Sequence, residues 1–273
     1  MFLTRLMSSA VLVVLSLFTI FTGGYFLGAV LLFLALVAYR ELSKACKLEA
    51  EGKMELLNLI GYIGIIAYYV LMVFIENRVY LFLLLITILV AFMFVYVFTF
   101  PKYRAEQIMC SFFCVAYAPV MLSFIYMVRN LPYGIYTVWM IFISSWICDT
   151  CAYVVGILFG RHKLAPVLSP KKSIEGALGG IAGSALVGAG YGYFIVEPAI
   201  SGQQVTWIFL LISVVGAVIS QVGDLAASAI KRNHDIKDYG KLIPGHGGVM
   251  DRFDSVIFTA PMIYFLAILL IRA

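Results

Sequence analysis

Four aspartates carry the chemistry that most needs an explanation in this apolar chain: Asp149, Asp224, Asp251 and Asp254. Each lies within or at the end of a long apolar segment, where an ionised carboxylate is costly unless it is paired, protonated or bound to a metal. Carboxylate oxygens, without an accompanying cluster of cysteine and histidine, favour a hard cation such as Mg²⁺. We therefore predict that the four aspartates lie on one side of the protein, around a divalent cation.

A polar stripe follows Asp224 along one face of a predicted helix. Ser228, Lys231 and Arg232 come four, seven and eight residues after it, which is the spacing of neighbours on one side of an α-helix. Such a stripe on an otherwise apolar helix has to face protein or water. It aligns a carboxylate, a hydroxyl group and two cations.

Two further segments have the composition of anion-binding sites. Ser169, Lys171 and Lys172 precede a predicted helix N-terminus, where free amide groups and the helix dipole attract phosphate. Lysine pairs beside a membrane can instead orient the chain or contact anionic lipid. The second segment, residues 241–254, combines glycines with charged residues, although a glycine-rich turn between two helices is the alternative. Its candidate residues are Lys241, His246, Gly247, Gly248 and Arg252.

Cations around carboxylates indicate a polyanionic substrate and a phosphoryl or nucleotidyl transfer, in which positioning and charge neutralisation supply most of the catalysis. The sequence contains no G-x-x-x-x-G-K-[ST] and no H-E-x-x-H motif. The five cysteines show no spaced disulfide framework, and we interpret Cys148 and Cys151 as small apolar residues of a membrane helix.

The elements that hold these residues must be membrane helices. Hydrophobic residues make up 63% of the 273 residues and charged residues 12%, whereas soluble domains have about 45–50% and about 25%. A soluble enzyme is therefore excluded. We predict an all-α integral membrane protein, a polytopic bundle of about nine transmembrane helices. They fall near residues 6–21, 25–39, 58–75, 79–100, 108–128, 134–159, 176–196, 205–230 and 254–271.

The basic residues give this arrangement an orientation. With the N-terminus inside, 16 of the 19 Lys and Arg residues fall on one side of the nine helices and 3 on the other. Because Lys and Arg are retained in cytoplasmic loops, the predicted site faces the cytoplasm from a multi-pass inner (plasma) membrane protein. The net charge of +5 is explained by this topology, so no nucleic-acid partner is predicted.

Small residues at every fourth position of the seventh predicted helix, from Gly176 to Gly192, predict close helix packing. We divide the chain into N-terminal transmembrane helices of unknown role, residues 1–133, and a catalytic transmembrane region with cytoplasmic loops, residues 134–273.

Residues 228–254 read S-A-I-K-R-N-H-D-I-K-D-Y-G-K-L-I-P-G-H-G-G-V-M-D-R-F-D. This segment closely resembles the signature of the phosphatidate cytidylyltransferase (CDP-diacylglycerol synthase) family. The segments 149–161 and 169–176 also resemble upstream elements of that family. The resemblance covers about residues 140–260, and the first half of the chain is similar only in its hydrophobic helices.

The resemblance implies condensation of CTP with phosphatidate to CDP-diacylglycerol and pyrophosphate, with a divalent cation such as Mg²⁺. It implies metal ligation by Asp224 and Asp251, with Asp149 and Asp254 as ligands or as residues that orient them. Lys231 and His246 join Asp224 and Asp251 as catalytic candidates. The implied substrate-binding residues are Ser169, Lys171, Lys172, Ser228, Arg232, Lys241, Gly247, Gly248 and Arg252.

Two alternatives remain open at this point. One is a CTP-dependent enzyme that acts on an isoprenoid ether lipid or a polyprenol. The other is a cation-coupled transporter in which Asp149 and Asp224 bind the ion. Membrane lipid is a partner in each case, and the oligomeric state is left open, with a homodimer as one option.

Overall fold

Long apolar helices make up most of the computed structural model, which describes residues 14–48, 55–200, 204–240, 242 and 247–271. Within these residues, eight helices are long and apolar enough to cross a membrane, which confirms the predicted all-α, polytopic membrane architecture. The first predicted helix, 6–21, lies largely outside the described residues and stays a prediction, although residues 14–22 are helical. The eight are α1 (Gly24–Ala45), α2 (Leu56–Phe74), α3 (Val79–Phe98), α4 (Ala105–Arg129), α5 (Gly134–Phe159), α6 (Ile174–Ala199), α7 (Thr206–Asn233) and α8 (Met250–Leu270).

Three of these helices contain a wider, π-helical turn. The turns are Ala116–Val120 in α4, Ile143–Ile147 in α5 and Gly192–Val196 in α6. Pro119 lies in the first of them, and because proline has no amide hydrogen it interrupts the regular hydrogen-bond ladder there. Helix α5 has a turn at Val138 as well, between Gly134–Thr137 and Trp139–Phe142.

Helix α3 is apolar on every side. Only Leu81, Ile88 and Phe92 of its 20 residues are buried, while Phe94 and Phe98 on its surface are 59% and 80% exposed. In water such a surface would be unfavourable, because the removal of apolar area from water is favoured. Its composition is that of a lipid-facing helix.

The chain forms two compact units, one of Met1–Tyr126 with His234–Arg252 and one of Met127–Asn233 with Phe253–Ala273. In the first unit, the Tyr69 hydroxyl group donates a hydrogen bond of 2.9 Å to the Pro119 carbonyl oxygen. The absence of a side chain at Gly61 leaves room for the Tyr39 side chain between α1 and α2. The division of roles between residues 1–133 and 134–273 stays a prediction.

In the second unit, the small residues of α6 let neighbouring helices approach closely. Gly176, Gly180, Ser184 and Gly188 are buried. A Cβ atom on Gly176 would lie 2.7 Å from the Ala152 carbonyl oxygen of α5, closer than two such atoms can pack. The predicted close packing of this helix is therefore confirmed.

Between α5 and α6 the chain forms a short antiparallel hairpin of β1 (Lys163–Ala165) and β2 (Ser169–Ser173). The sequence predicted a loop here, since a segment rich in lysine and serine lacks the apolar alternation of a strand. Glu175, in the first turn of α6, accepts hydrogen bonds from the backbone amide of Arg161 at 3.0 Å and from Nδ1 of His162 at 2.6 Å. These bonds fasten the start of the hairpin to the start of α6.

Candidate functional site

Three of the predicted aspartates come together in the second unit. Asp149 on α5, Asp224 on α7 and Asp254 on α8 interact electrostatically with one another. The side chain of Ser255 forms a hydrogen bond with the Asp149 carboxylate. Carboxylates from three separate helices therefore share one small region of an otherwise apolar unit.

Two lysines accompany the three carboxylates. The Lys172 ammonium group on β2 forms an ion pair with Oδ2 of Asp224, and Lys231 on α7 attracts Asp254. Three carboxylates and two ammonium groups leave this group of five side chains with one excess negative charge. Because like charges repel strongly where solvent is scarce, such a group gains from a further cation.

A pocket of about 640 Å³ opens beside Asp149 and Asp224. Its size falls within the range of roughly 300–1,000 Å³ that is typical of small-molecule sites. Polar groups of the hairpin form one wall, and α5, α6 and α7 supply the others. The lining residues are Asp149, Ala152, Tyr153, Gly156, Ile157, Lys163, Leu164, Ser169, Lys171, Lys172, Ser173, Gly176, Ala177, Gln221 and Asp224.

The local sequence positions the hairpin wall that carries Lys171 and Lys172. The Ser173 hydroxyl group accepts a hydrogen bond of 3.1 Å from the Gly176 amide and so caps the N-terminus of α6. A Cβ atom on Gly160 would lie 2.7 Å from the Ser173 hydroxyl oxygen. Glycine at this position therefore lets β2 lie close to α5, and Lys171 and Lys172 reach the pocket directly before the cap.

The other residues of the predicted stripe on α7 lie outside this pocket lining. Ser228 is half-buried, and Arg232 is exposed in the last turn of α7. Their predicted substrate-binding roles stay predictions. Lys241 and His246 lie outside the described residues.

Asp251, in the first unit, has backbone partners. Its Oδ2 accepts hydrogen bonds from the Tyr239 amide at 2.8 Å and the Gly248 amide at 3.0 Å. Gly247 has a φ of +88°, a conformation that favours glycine. The carboxylate thus holds the chain before α8 in place, and metal ligation by Asp251 stays a prediction. Arg252 follows it with an exposed side chain.

Glu41 is a buried acid of the first unit that the sequence interpretation missed. Its carboxylate is 8% exposed and accepts hydrogen bonds from the Val249 amide at 3.1 Å and the Met250 amide at 2.9 Å. These amides belong to the start of α8, where helix N–H groups have no partner within the helix. The predicted helix ended at residue 39, which left Glu41 in a loop; α1 continues to Ala45, and an acid inside an apolar helix would have been a signal.

Gln221 was also missed. It lies three residues before Asp224 on α7, and its side-chain amide donates a hydrogen bond of 2.9 Å to the Ala177 carbonyl oxygen of α6. The bond fixes the pocket wall between the two helices. An uncharged amide in an apolar segment gives a weaker sequence signal than an acid, because its burial costs less.

Comparisons with known proteins identify related sequences. A sequence model described as the cytidylyltransferase family matches residues 3–270. The phosphatidate cytidylyltransferase of Staphylococcus epidermidis is 37% identical over 167 residues, which are 61% of this chain and 62% of that protein. That of Staphylococcus saprophyticus is 35% identical over 167 residues, with the same 61% and 62% coverage. That of Staphylococcus aureus is 38% identical over 154 residues, 56% of each chain.

The alignments with these curated relatives span less than two thirds of the relatives' length, 62% in the first. The family match is broader, because it extends from residue 3 to residue 270 and includes every residue of the candidate site. On that match, the chain belongs to the cytidylyltransferase family.

Proposed function

We propose that this protein condenses CTP with phosphatidate to give CDP-diacylglycerol and pyrophosphate. The observation that carries the proposal is the group of Asp149, Asp224 and Asp254 with Lys172, beside a pocket of about 640 Å³ in a membrane-embedded unit. Relatives named phosphatidate cytidylyltransferase support the choice of substrates. A nucleotide and an acidic lipid are both polyanions, and the lysines of the pocket can bind the phosphates of both.

The donor atoms fit Mg²⁺. Asp149, Asp224 and Asp254 offer only oxygen ligands, which hard cations prefer. The ion pair with Lys172 engages one oxygen of Asp224, and a carboxylate has about four lone-pair sites, so Asp224 can bind a second cation. When bound, Mg²⁺ would neutralise charge on the phosphates and polarise their oxygens.

The reaction requires no general base. Phosphatidate is a phosphomonoester with a second pKa of about 6, by analogy with phosphorylated side chains, so its oxygen is largely ionised at neutral pH. That oxygen forms a bond to the α-phosphorus of CTP. The bond between this phosphorus and the bridging oxygen breaks, and pyrophosphate leaves with the electron pair.

The chain's own contribution is to bring the two anions together. Lys171 and Lys172 lie along the hairpin wall of the pocket, where they attract phosphate oxygens and offset the repulsion between the substrates. The first amides of α6 already have acceptors, since Ile174 donates to the His162 carbonyl oxygen at 2.9 Å and Gly176 to the Ser173 hydroxyl oxygen at 3.1 Å. The lysines, and not free amides at this helix N-terminus, therefore supply the positive charge. The acyl chains of phosphatidate remain in the lipid while the headgroup enters the pocket.

The distribution of basic residues supports a site that faces the cytoplasm from the plasma membrane, and the relatives are bacterial proteins. This side of the membrane is where CTP is available.

The test uses the full chain, purified in detergent, with CTP, Mg²⁺ and phosphatidate. We expect one pyrophosphate for each CDP-lipid, measured by an enzyme-coupled assay and by mass spectrometry. Parallel reactions with a polyprenyl phosphate and an isoprenoid ether lipid phosphate establish the lipid class. Turnover only with one of those lipids, or no CDP-lipid at all, would refute the proposal.

Site residues are tested with an isosteric pair. Asp224→Asn removes the charge at the centre of the carboxylate group, and we expect turnover to fall by about 10²–10³-fold, the cost of losing one electrostatic group of an active site. Asp235→Asn is the matched control, since Asp235 is exposed and its positive φ of 54° suits asparagine. Both variants should elute as folded protein. Equal turnover in the two variants would contradict the assignment.

A further inference from the structure

Three cysteines of the first unit form a group that the proposed reaction does not use. Cys46 directly follows α1, and Cys110 and Cys114 lie one helical turn apart on α4. Their sulfur atoms all lie within 4.8 Å of one another. Nothing in the sequence groups them, because 63 residues and two helices lie between Cys46 and Cys110.

The geometry is close to that of a thiolate metal site. In a tetrahedral zinc site the Zn–S distance is about 2.3 Å, which sets neighbouring sulfur atoms roughly 3.8 Å apart. The separations of up to 4.8 Å therefore need to shorten by about 1 Å, which small χ1 rotations supply. Cys114 is buried, while Cys46 and Cys110 are half-buried, so an ion can reach the sulfur atoms.

The candidate fourth donor is His234, whose ring nitrogens lie outside the group of sulfur atoms that are within 4.8 Å of one another and would have to approach it. His234 lies at the start of the segment His234–Arg252 of the first unit and interacts electrostatically with Cys110. Three cysteines and one histidine are a common ligand set of structural zinc sites, in which the ion has no open position for a substrate.

We propose that Cys46, Cys110, Cys114 and His234 bind one zinc ion, which joins the end of α1, the start of α4 and the segment that begins at His234. The site is independent of the proposed reaction. The ion would have a structural effect, because Cys46 comes five residues after Glu41, whose carboxylate accepts hydrogen bonds from the first amides of α8. A metal ion here would stiffen the end of α1 from which Glu41 acts.

The experiment uses the full chain in detergent under reducing conditions, titrated with Zn²⁺ against a chromophoric chelator. We expect about one zinc ion per chain by elemental analysis, and a cobalt derivative with a thiolate-to-cobalt charge-transfer band. Cys110→Ser and Cys114→Ser should weaken binding by more than about 100-fold, and His234→Ala by at least about 10-fold. Cys151→Ser, which changes a cysteine of the second unit, is the matched control and should bind zinc as the parent does.

A second measurement uses the unaltered protein, so it tests the proposal even if the cysteine variants do not fold. Zinc should protect Cys46, Cys110 and Cys114 from maleimide, as located by peptide mass spectrometry, and leave the reactivity of Cys151 unchanged. Equal labelling of the three cysteines with and without zinc would overturn the proposal. So would a cobalt derivative without the charge-transfer band, or a disulfide between two of the three cysteines in protein that was never exposed to reductant.

Discussion

Glu41 offers a direct test of how the start of α8 is held. The Glu41→Gln variant keeps the size of the side chain but replaces one of its two acceptor oxygens by an NH₂ group. One of the amides of Val249 and Met250, which donate to the carboxylate at 3.1 and 2.9 Å, then faces a donor. The remaining bond also loses its negative acceptor.

The expected magnitude follows from these two bonds. A hydrogen bond to a charged group contributes about 1.5–3 kcal/mol, and the site is nearly excluded from solvent, since Glu41 is 8% exposed. At about 1.4 kcal/mol for each factor of ten, losing one such bond raises the population of locally opened chain by roughly 10- to 150-fold. Glu41→Ala, which removes both acceptors, should exceed the upper end of that range.

Hydrogen exchange measured by mass spectrometry on the full chain in detergent reports this opening directly. Peptides that contain Val249 and Met250 should exchange faster by the stated factor, whereas peptides from α6 should be unchanged. Glu106→Gln is the matched control, because Glu106 is 73% exposed and pairs with Arg104 at the protein surface. Exchange at Val249 and Met250 that is equal in Glu41→Gln and Glu106→Gln would refute the structural role of Glu41.

Three further predictions concern the second unit. Asp254→Asn should raise the unfolding temperature in the presence of a chelator, by a stabilisation on the order of 1 kcal/mol, because Asp254 faces two carboxylates and one lysine. The same variant should lose turnover. A lowered unfolding temperature would contradict the proposed repulsion between the carboxylates. Gly176→Ala should destabilise the protein by about 1–3 kcal/mol, since its Cβ atom would meet the Ala152 carbonyl oxygen at 2.7 Å, whereas Gly190→Ala has nothing within 4 Å and should be neutral or slightly stabilising in the same thermal assay. Ser173→Ala removes the cap of α6 and should lower the free energy of unfolding by about 1 kcal/mol. Hydrogen exchange at the Gly176 amide should become faster in this variant, and Ser173→Thr should restore the protection of that amide.

Much of the fold could be predicted because lipid imposes a strong constraint on sequence. A helix that faces lipid must be apolar over about 20 residues, so helix α3 was predicted at 79–100 and is found at Val79–Phe98. Helix ends were harder to predict, because polar residues at an interface fit either a last helical turn or a loop. Glu41 and the final turn of α1 were assigned to a loop for that reason.

The site could be predicted in part, for the same physical reason. Asp149 and Asp224 stood out because a carboxylate in an apolar segment needs a partner, and the structure brings both to one pocket with Lys172. The hairpin that carries Lys172 could not be predicted. Its strands have three and five residues and are held by Glu175 and by close approach at Gly160, which are tertiary features without a local pattern.

The acids of the apolar segments that the structure describes fall into two groups that sequence cannot separate, and their partners predict opposite effects on stability. Glu41 and Asp251 accept hydrogen bonds from backbone amides, so removing either charge leaves amides without an acceptor and weakens the fold. Asp149, Asp224 and Asp254 instead face one another with two lysines. Asp254 also accepts a hydrogen bond of 2.8 Å from the Ser255 amide, which the oxygen of an asparagine side chain can accept as well, so we expect the mutual repulsion to lower stability until a cation binds. A group of side chains that lowers the stability of the ligand-free protein is better explained by ligand binding than by a role in folding. The sign of the stability change therefore distinguishes acids that hold the chain from acids that hold a substrate or a metal, even before any turnover is measured.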